Sequence, residues 1–228
     1  MKLHWSPRSP FVRKVMIVLR EKGMLDEVEC VRSVVAFAAM PNQDLLSDNP
    51  LNKIPTLVLD DGRSLFDSRV ICEYLDATGG GPRLLPEAGD ARFAQLRWQA
   101  LGDGLTDVLL LWRSELTRPN GISEILPKAF ESKVRAAMAR LNAEADQLDS
   151  AAFGLGHVAI ICALGQLDFR YLENHWRQAF PNLAKWHAKV LARPSVNATV
   201  PKDDVSPGAV SATFDPNKPV IDFMSSQA

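Results

Sequence analysis

Trp5-Ser6-Pro7-Arg8-Ser9-Pro10-Phe11-Val12-Arg13-Lys14-Val15 decides how this chain is read. Met1 to Trp5 is short and mostly apolar, Ser6-Pro7 breaks it, and Ser9-Pro10 has the form of an N-cap followed by proline at the first helical position. The stretch predicts the end of a first strand, a tight turn and the opening of a first helix. Phe11, Val15, Val18 and Leu19 recur at helical spacing and supply a face to bury, which puts Arg13, Lys14, Arg20 and Glu21 on the wet side. A helix start carries unpaired N–H groups and a partial positive charge, so an anion can rest there, and Ser9 adds a hydroxyl donor. A serine at that position is equally what the helix needs as a cap.

Working outward, Gly23 stops the pattern and Val28 to Val31 reads as a second strand, which gives a β-α-β opening. Phe37, Ala38, Ala39 and Met40 read as cover for apolar surface, Pro41-Asn42 interrupts them, and a short helix follows at Gln43 to Ser47. Asn49-Pro50-Leu51-Asn52-Lys53-Ile54-Pro55 then feeds a third strand, turned at Asp60-Asp61-Gly62 into a fourth at Ser64 to Phe66. The residues alone leave the Ile54-Pro55 bond open between cis and trans. Phe66-Asp67-Ser68 opens another helix, with Asp67 or Ser68 as cap and Val70, Ile71, Tyr74 and Leu75 as its buried face.

Gly79-Gly80-Gly81-Pro82 and the run to Gly89 read as a flexible connector, after which the character changes. Phe93, Leu96, Leu101, Leu105, Val108 and Trp112 predict one long helix, and Val134, Met138, Leu141, Ala145 and Leu148 a second. His157 to Tyr171 and Pro181 to Ala192 supply two more, the last ended by Arg193-Pro194. The expected layout is an α/β domain over 1–78, a linker over 79–89, an all-α domain over 90–201 and an irregular tail over 202–228. Pro207, Pro216 and Pro219 punctuate that tail, with Val220, Ile221 and Phe223 as anchors.

A chain of 228 residues is long enough for a substantial core, and 26 Lys+Arg against 27 Asp+Glu leaves no charge footprint for nucleic acid or an anionic membrane. The opening residues are too interrupted by charge for a signal peptide, and no apolar run reaches membrane-spanning length. Cys30, Cys72 and Cys162 have neither metal-ligand nor CxxC spacing; they suit a reducing cytoplasm and read as packing residues, Cys30 and Cys72 on predicted core elements.

Taken in order, Ser9-Pro10-Phe11-Val12-Arg13-Lys14-Val15, Asn49 to Pro55, Phe66-Asp67-Ser68, Phe180-Pro181-Asn182-Leu183 and Ala192-Arg193-Pro194-Ser195-Val196 resemble the cytosolic glutathione S-transferase family, particularly its bacterial glutathione S-transferase-like members. The resemblance implies an N-terminal thioredoxin-like domain (βαβ-ββα) followed by a C-terminal helical domain. It also implies glutathione as co-substrate without a metal, a small apolar electrophile as second substrate, a homodimer and a detoxification role in the cytoplasm. Carried over by residue, it places Ser9 beside the glutathione sulfur as the catalytic group, and the Ile54 backbone before a cis-Pro55 along the cysteinyl part. Asp67 and Ser68 fall at the γ-glutamyl end, and Lys53 at a carboxylate or in solvent. Phe11 borders the glutathione and the apolar site, with Asp103, Asp107 and Trp112 on the second-substrate side.

Serine rather than cysteine at position 9 cannot form a mixed disulfide, which favours conjugation or dehalogenation over glutathione-dependent reduction. A non-enzymatic glutathione-binding or regulatory scaffold is the competing class. One departure stands out. Where the family carries a Ser/Thr-x-x-Asp capping box, this chain reads Gly154-Leu155-Gly156-His157, so the paired hydrogen bonds are expected to be missing, at a cost of about 1 kcal/mol. His157 could be a metal ligand or a base, but reads first as a structural substitution.

Overall fold

The computed structural model describes residues 1–35, 40–118, 121–204 and 220–225. Strand β1 (Lys2–Trp5) leads through the Ser6–Arg8 turn into helix α1 (Pro10–Glu21), and β2 (Glu29–Arg32) returns parallel to β1 with Leu3 opposite Cys30. Helix α2 (Gln43–Asp48) is followed by β3 (Thr56–Val58) and β4 (Ser64–Leu65), and α3 (Ser68–Thr78) closes the first half. The sheet order is β2-β1-β3-β4, with β1 and β3 antiparallel and β3 and β4 a hairpin. This is a thioredoxin-like unit with a small mixed sheet. Its core joins Leu3, Val15, Val18, Leu57, Ile71 and Leu75.

The second half is helical: α4 (Gly89–Leu116), α5 (Leu126–Ala143), α6 (Ala145–Ser150), α7 (Leu155–Arg170), α8 (Trp176–Ala179), α9 (Pro181–Leu191) and α10 (Pro194–Asn197). Helix α7 is buried on nearly every side, which explains a sequence with apolar residues around its whole circumference. Helices α4 and α7 cross closely at Gly102, where a Cβ would stand 2.5 Å from the Ala159 carbonyl carbon. Ile221 and Phe223 are buried as expected; the Phe223 ring meets Phe180 edge-on at 5.3 Å, and its N–H donates to the Asn174 carbonyl.

Several expectations give way. Arg13 and Lys14 are buried, because α1 is covered on one flank by α3 and on the other by α7 and α10. Val70 (48 % exposed) and Phe93 (69 % exposed) face outward despite their apolar spacing, and Met40 is also exposed. Cys30 is exposed, because β2 is an edge strand with little over its outer side. The glycine-rich connector is docked: the Gly80 N–H donates to the Lys22 carbonyl, Lys22 Nζ reaches the Pro82 carbonyl, and a Cβ on Gly79 would stand 2.6 Å from Met24 Sδ. Phe37, Ala38, Ala39, Pro207, Pro216 and Pro219 lie outside the described residues.

The start of α7 is capped after all. His157 Nδ1 accepts from the Gly154 N–H at 3.1 Å, which is the returning arm of a capping box, and its Nε2 faces the Leu148 carbonyl at 3.0 Å. Gln95 Oε1 accepts from the Gly156 N–H at 2.9 Å, so a side chain from α4 satisfies a donor that Gly154 cannot. Glycine is needed at both positions, since a Cβ on Gly154 or Gly156 would meet the Leu84 or Gln95 carbonyl oxygen under 3 Å. Burial lowers the His157 pKa, in keeping with a neutral ring used as a structural acceptor.

Candidate functional site

A cleft opens between the two halves. The first half contributes Phe11 from α1, Lys53, Ile54 and Pro55 from the loop before β3, and Asp67 and Ser68 from the start of α3; α4 contributes Asp103 and Asp107. Each is placed by a local rule. Ser9 is the N-cap of α1 in an extended conformation, its Oγ accepting from the Val12 N–H at 3.2 Å and its carbonyl from the Arg13 N–H at 3.0 Å. Pro10 has no N–H, so the Phe11 N–H is the first-turn donor left without a partner among the described residues. Ser9 itself is half-buried two residues before the cleft-lining Phe11.

The Ile54–Pro55 peptide is cis. The loop ahead of it is braced by Asn49, whose Nδ2 donates to the Lys53 carbonyl at 3.1 Å and to Thr56 Oγ1 at 2.9 Å, while its Oδ1 accepts from the Leu51 N–H. Lys53 is exposed, and its ammonium has no carboxylate partner among the described residues. Asp67 caps α3, accepting from the Arg69 N–H at 2.9 Å and from Ser68 Oγ at 3.2 Å.

The cleft floor is a charged network across the two halves. Lys14 Nζ donates to both Asp103 oxygens, at 2.8 and 2.9 Å, and to Ser68 Oγ at 3.3 Å; Arg69 Nε donates to Asp103 Oδ2 at 2.8 Å. Lys14 and Asp103 are 1 % and 3 % exposed, so both Asp103 oxygens are committed to bracing the wall. Asp107, one turn on, is more open; partial burial and then the neighbouring Asp103 push its carboxyl up from the usual range.

Trp112 does not reach the cleft. It follows Asp103 by about two and a half helical turns, which points it to the opposite side of α4, and it is 1 % exposed in the helical core with its ring 5.5 Å from Tyr171. Asn49, Leu51, Phe66 and Arg69 line the cleft without having been singled out. The Asx-turn form of Asn49-Pro50-Leu51 was a signal for the first; Arg69 carried none, because its partner is 34 residues away. Burial raises the Cys72 thiol to about 12 and the Cys162 thiol to about 11, so neither is poised as a thiolate. Among the described residues no three His, Cys, Asp or Glu side chains converge as a metal site, and no helix is long and apolar enough to cross a membrane.

A thioredoxin-like half with an open, polar helix start, joined to a helical half across a cleft, defines a two-domain fold with its candidate site at the seam. Residues 8–78 match the glutathione S-transferase N-terminal domain model and residues 112–189 the C-terminal one. An uncharacterized GST-like protein, YibF, of Escherichia coli is 30 % identical over 88 % of this chain and 98 % of its own length. A glutathione transferase family member from Pseudomonas fluorescens Pf-5, solved with bound glutathione, superposes with a TM-score of 0.85 at 42 % identity, covering 89 % of this chain and 99 % of that one. A glutathione S-transferase from Methylobacillus flagellatus, also solved with glutathione, gives 0.81 at 36 %, covering 88 % and 99 %. The chain therefore belongs to the glutathione S-transferase family, among its bacterial GST-like members.

Proposed function

We propose that this chain is a glutathione transferase that activates the glutathione sulfur as a thiolate for attack on a small electrophile whose apolar body packs against Phe11. The observation that carries the reading is the start of α1, where the Ser9 hydroxyl proton and the unpartnered Phe11 N–H are both available to an anion at the positive end of the helix. Glutathione bound in two relatives supports the identity of the ligand. The ligand's ends are assigned by family resemblance: the cysteinyl backbone to Ile54 before Pro55, the γ-glutamyl group to Asp67 and Ser68, and a carboxylate to the free Lys53 ammonium. A serine accepts no mixed disulfide, and the buried thiols offer no substitute, so conjugation is favoured over reduction.

A free thiol titrates near ~8.5, so donors aimed at the anion increase the reactive fraction at neutral pH. Ser9→Ala is expected to raise the bound thiol's pKa by about one unit, roughly tenfold in thiolate fraction. Thiolate absorbance of the glutathione complex against pH checks this, and an unchanged curve refutes the role. Retention on immobilised glutathione together with turnover of a generic electrophile separates the enzyme from a binding scaffold. We further propose a homodimer through the exposed apolar residues Val70 of α3 and Phe93 of α4, on helices tied together by the Glu73–Arg92 ion pair at 2.9 Å.

A further inference from the structure

Beside Ser9 lies a cluster of cations that the proposed chemistry at the sulfur does not use. Arg8, the residue before Ser9, donates through Nε to Asp203 at 3.1 Å, and Arg170 at the end of α7 donates to the other oxygen of the same carboxylate at 3.1 Å. The backbone holds this arrangement in place, since the Lys202 N–H donates to the Pro7 carbonyl at 3.2 Å. Asp204 is engaged by Arg32 at 2.5 and 3.0 Å and stands 4.0 Å from Arg8. Arg113, on α4, is the third arginine of the group, with Arg8, Tyr171 and Asp203 as its electrostatic neighbours. Asp203 thus faces three guanidinium groups.

Arg113 is the one left over. Its Nε is buried without a partner, and among the described residues no carbonyl, hydroxyl or carboxylate accepts from its guanidinium. A half-buried planar fork of donors is a costly group to leave unanswered, and its geometry matches the two oxygens of a carboxylate. It stands on the cleft-lining helix six residues past Asp107, about 9 Å along the axis, and its electrostatic neighbour Arg8 directly precedes Ser9. The surplus positive charge there favours an anionic end group over a wholly apolar molecule.

We propose that the second substrate carries a carboxylate, received by Arg113 with Arg8 beside it. This rests on the glutathione reading above and narrows it: the electrophile has an apolar body and an acidic end. The test compares S-(2-carboxyethyl)glutathione with S-propylglutathione, which carry the same three-carbon chain on sulfur and differ in the acid's two carboxylate oxygens, by calorimetric titration at low salt. The native protein should prefer the acid by about tenfold, equivalent to about 1.4 kcal/mol. Arg113→Met should reduce that ratio to near one, Arg113→Lys should keep part of it, and Arg8→Met, on the more open loop, should weaken it without touching α4. Equal affinities in the native protein, or an undiminished ratio in Arg113→Met, overturn the proposal while leaving glutathione recognition standing. Failure of the native protein to bind either compound or glutathione itself overturns the glutathione reading, and this inference with it.

Discussion

Two adjacent cations of α1 are buried at the seam between the halves, and they are treated in opposite ways. At the cleft, Lys14 meets both oxygens of Asp103 and the Ser68 hydroxyl, and Asp103 also takes Arg69, so every charge is answered. On the other flank, Arg13 donates among the described residues only to the Ile161 and Val196 carbonyls, each at 3.4 Å, and its Nε has no partner among them. Burial lowers its pKa. His187, whose electrostatic neighbours include Arg13 and Asp168, has both ring nitrogens buried without a partner among the described residues, and Gln166 Oε1 is in the same condition. Gly165 makes room for Arg13, since a Cβ there would stand 2.1 Å from Nη1. The contrast teaches that burial of a charge does not itself measure its contribution; what decides is how much desolvation the partners recover.

The largest test removes one member of the answered pair. Lys14→Met leaves Asp103 buried with only the half-exposed Arg69, and a loss of about 3–5 kcal/mol is expected in urea unfolding. Lys14→Met combined with Asp103→Leu should recover most of that loss, because the desolvated pair is replaced by apolar volume. If the double variant is no better than the single, the comparison is broken at this end. Arg13→Met should cost about 1 kcal/mol or less, mostly through two long hydrogen bonds; a loss equal to that of Lys14→Met would erase the distinction.

The smallest effect is a slope against pH. Burial holds His187 down to about 4, whereas an unfolded chain protonates histidine near ~6.5. Between those values the unfolded state takes up a proton that the folded state refuses, so stability is full above about pH 6.5 and declines as pH falls toward 4. Melting temperatures across that window should show the decline, and His187→Phe should flatten part of it, His157, whose pKa burial also lowers, contributing in the same direction.

The fold was readable wherever the signal is local. Ser9-Pro10 and Asp67 announce their helices because a cap and the donors it serves lie within a single turn, and the β3–β4 hairpin is announced by Asp60-Asp61-Gly62. The seam was not readable. Lys14 and Asp103 are 89 residues apart, and spacing along α1 gives no hint that a second helical layer will cover its charged side. For the same reason spacing does not show that the Trp112 side of α4 belongs to the core, or that Gln95 on another helix completes the α7 cap to which His157 contributes locally. The four-residue helices α8 and α10 are too short for periodicity to register.

The bond from Lys202 to Pro7 joins positions separated by most of the polypeptide's contour. It makes the far stretch of the chain a strut for the turn that presents Ser9. A change that displaced Lys202 would therefore act directly on the backbone of that turn, although most of the sequence lies between them.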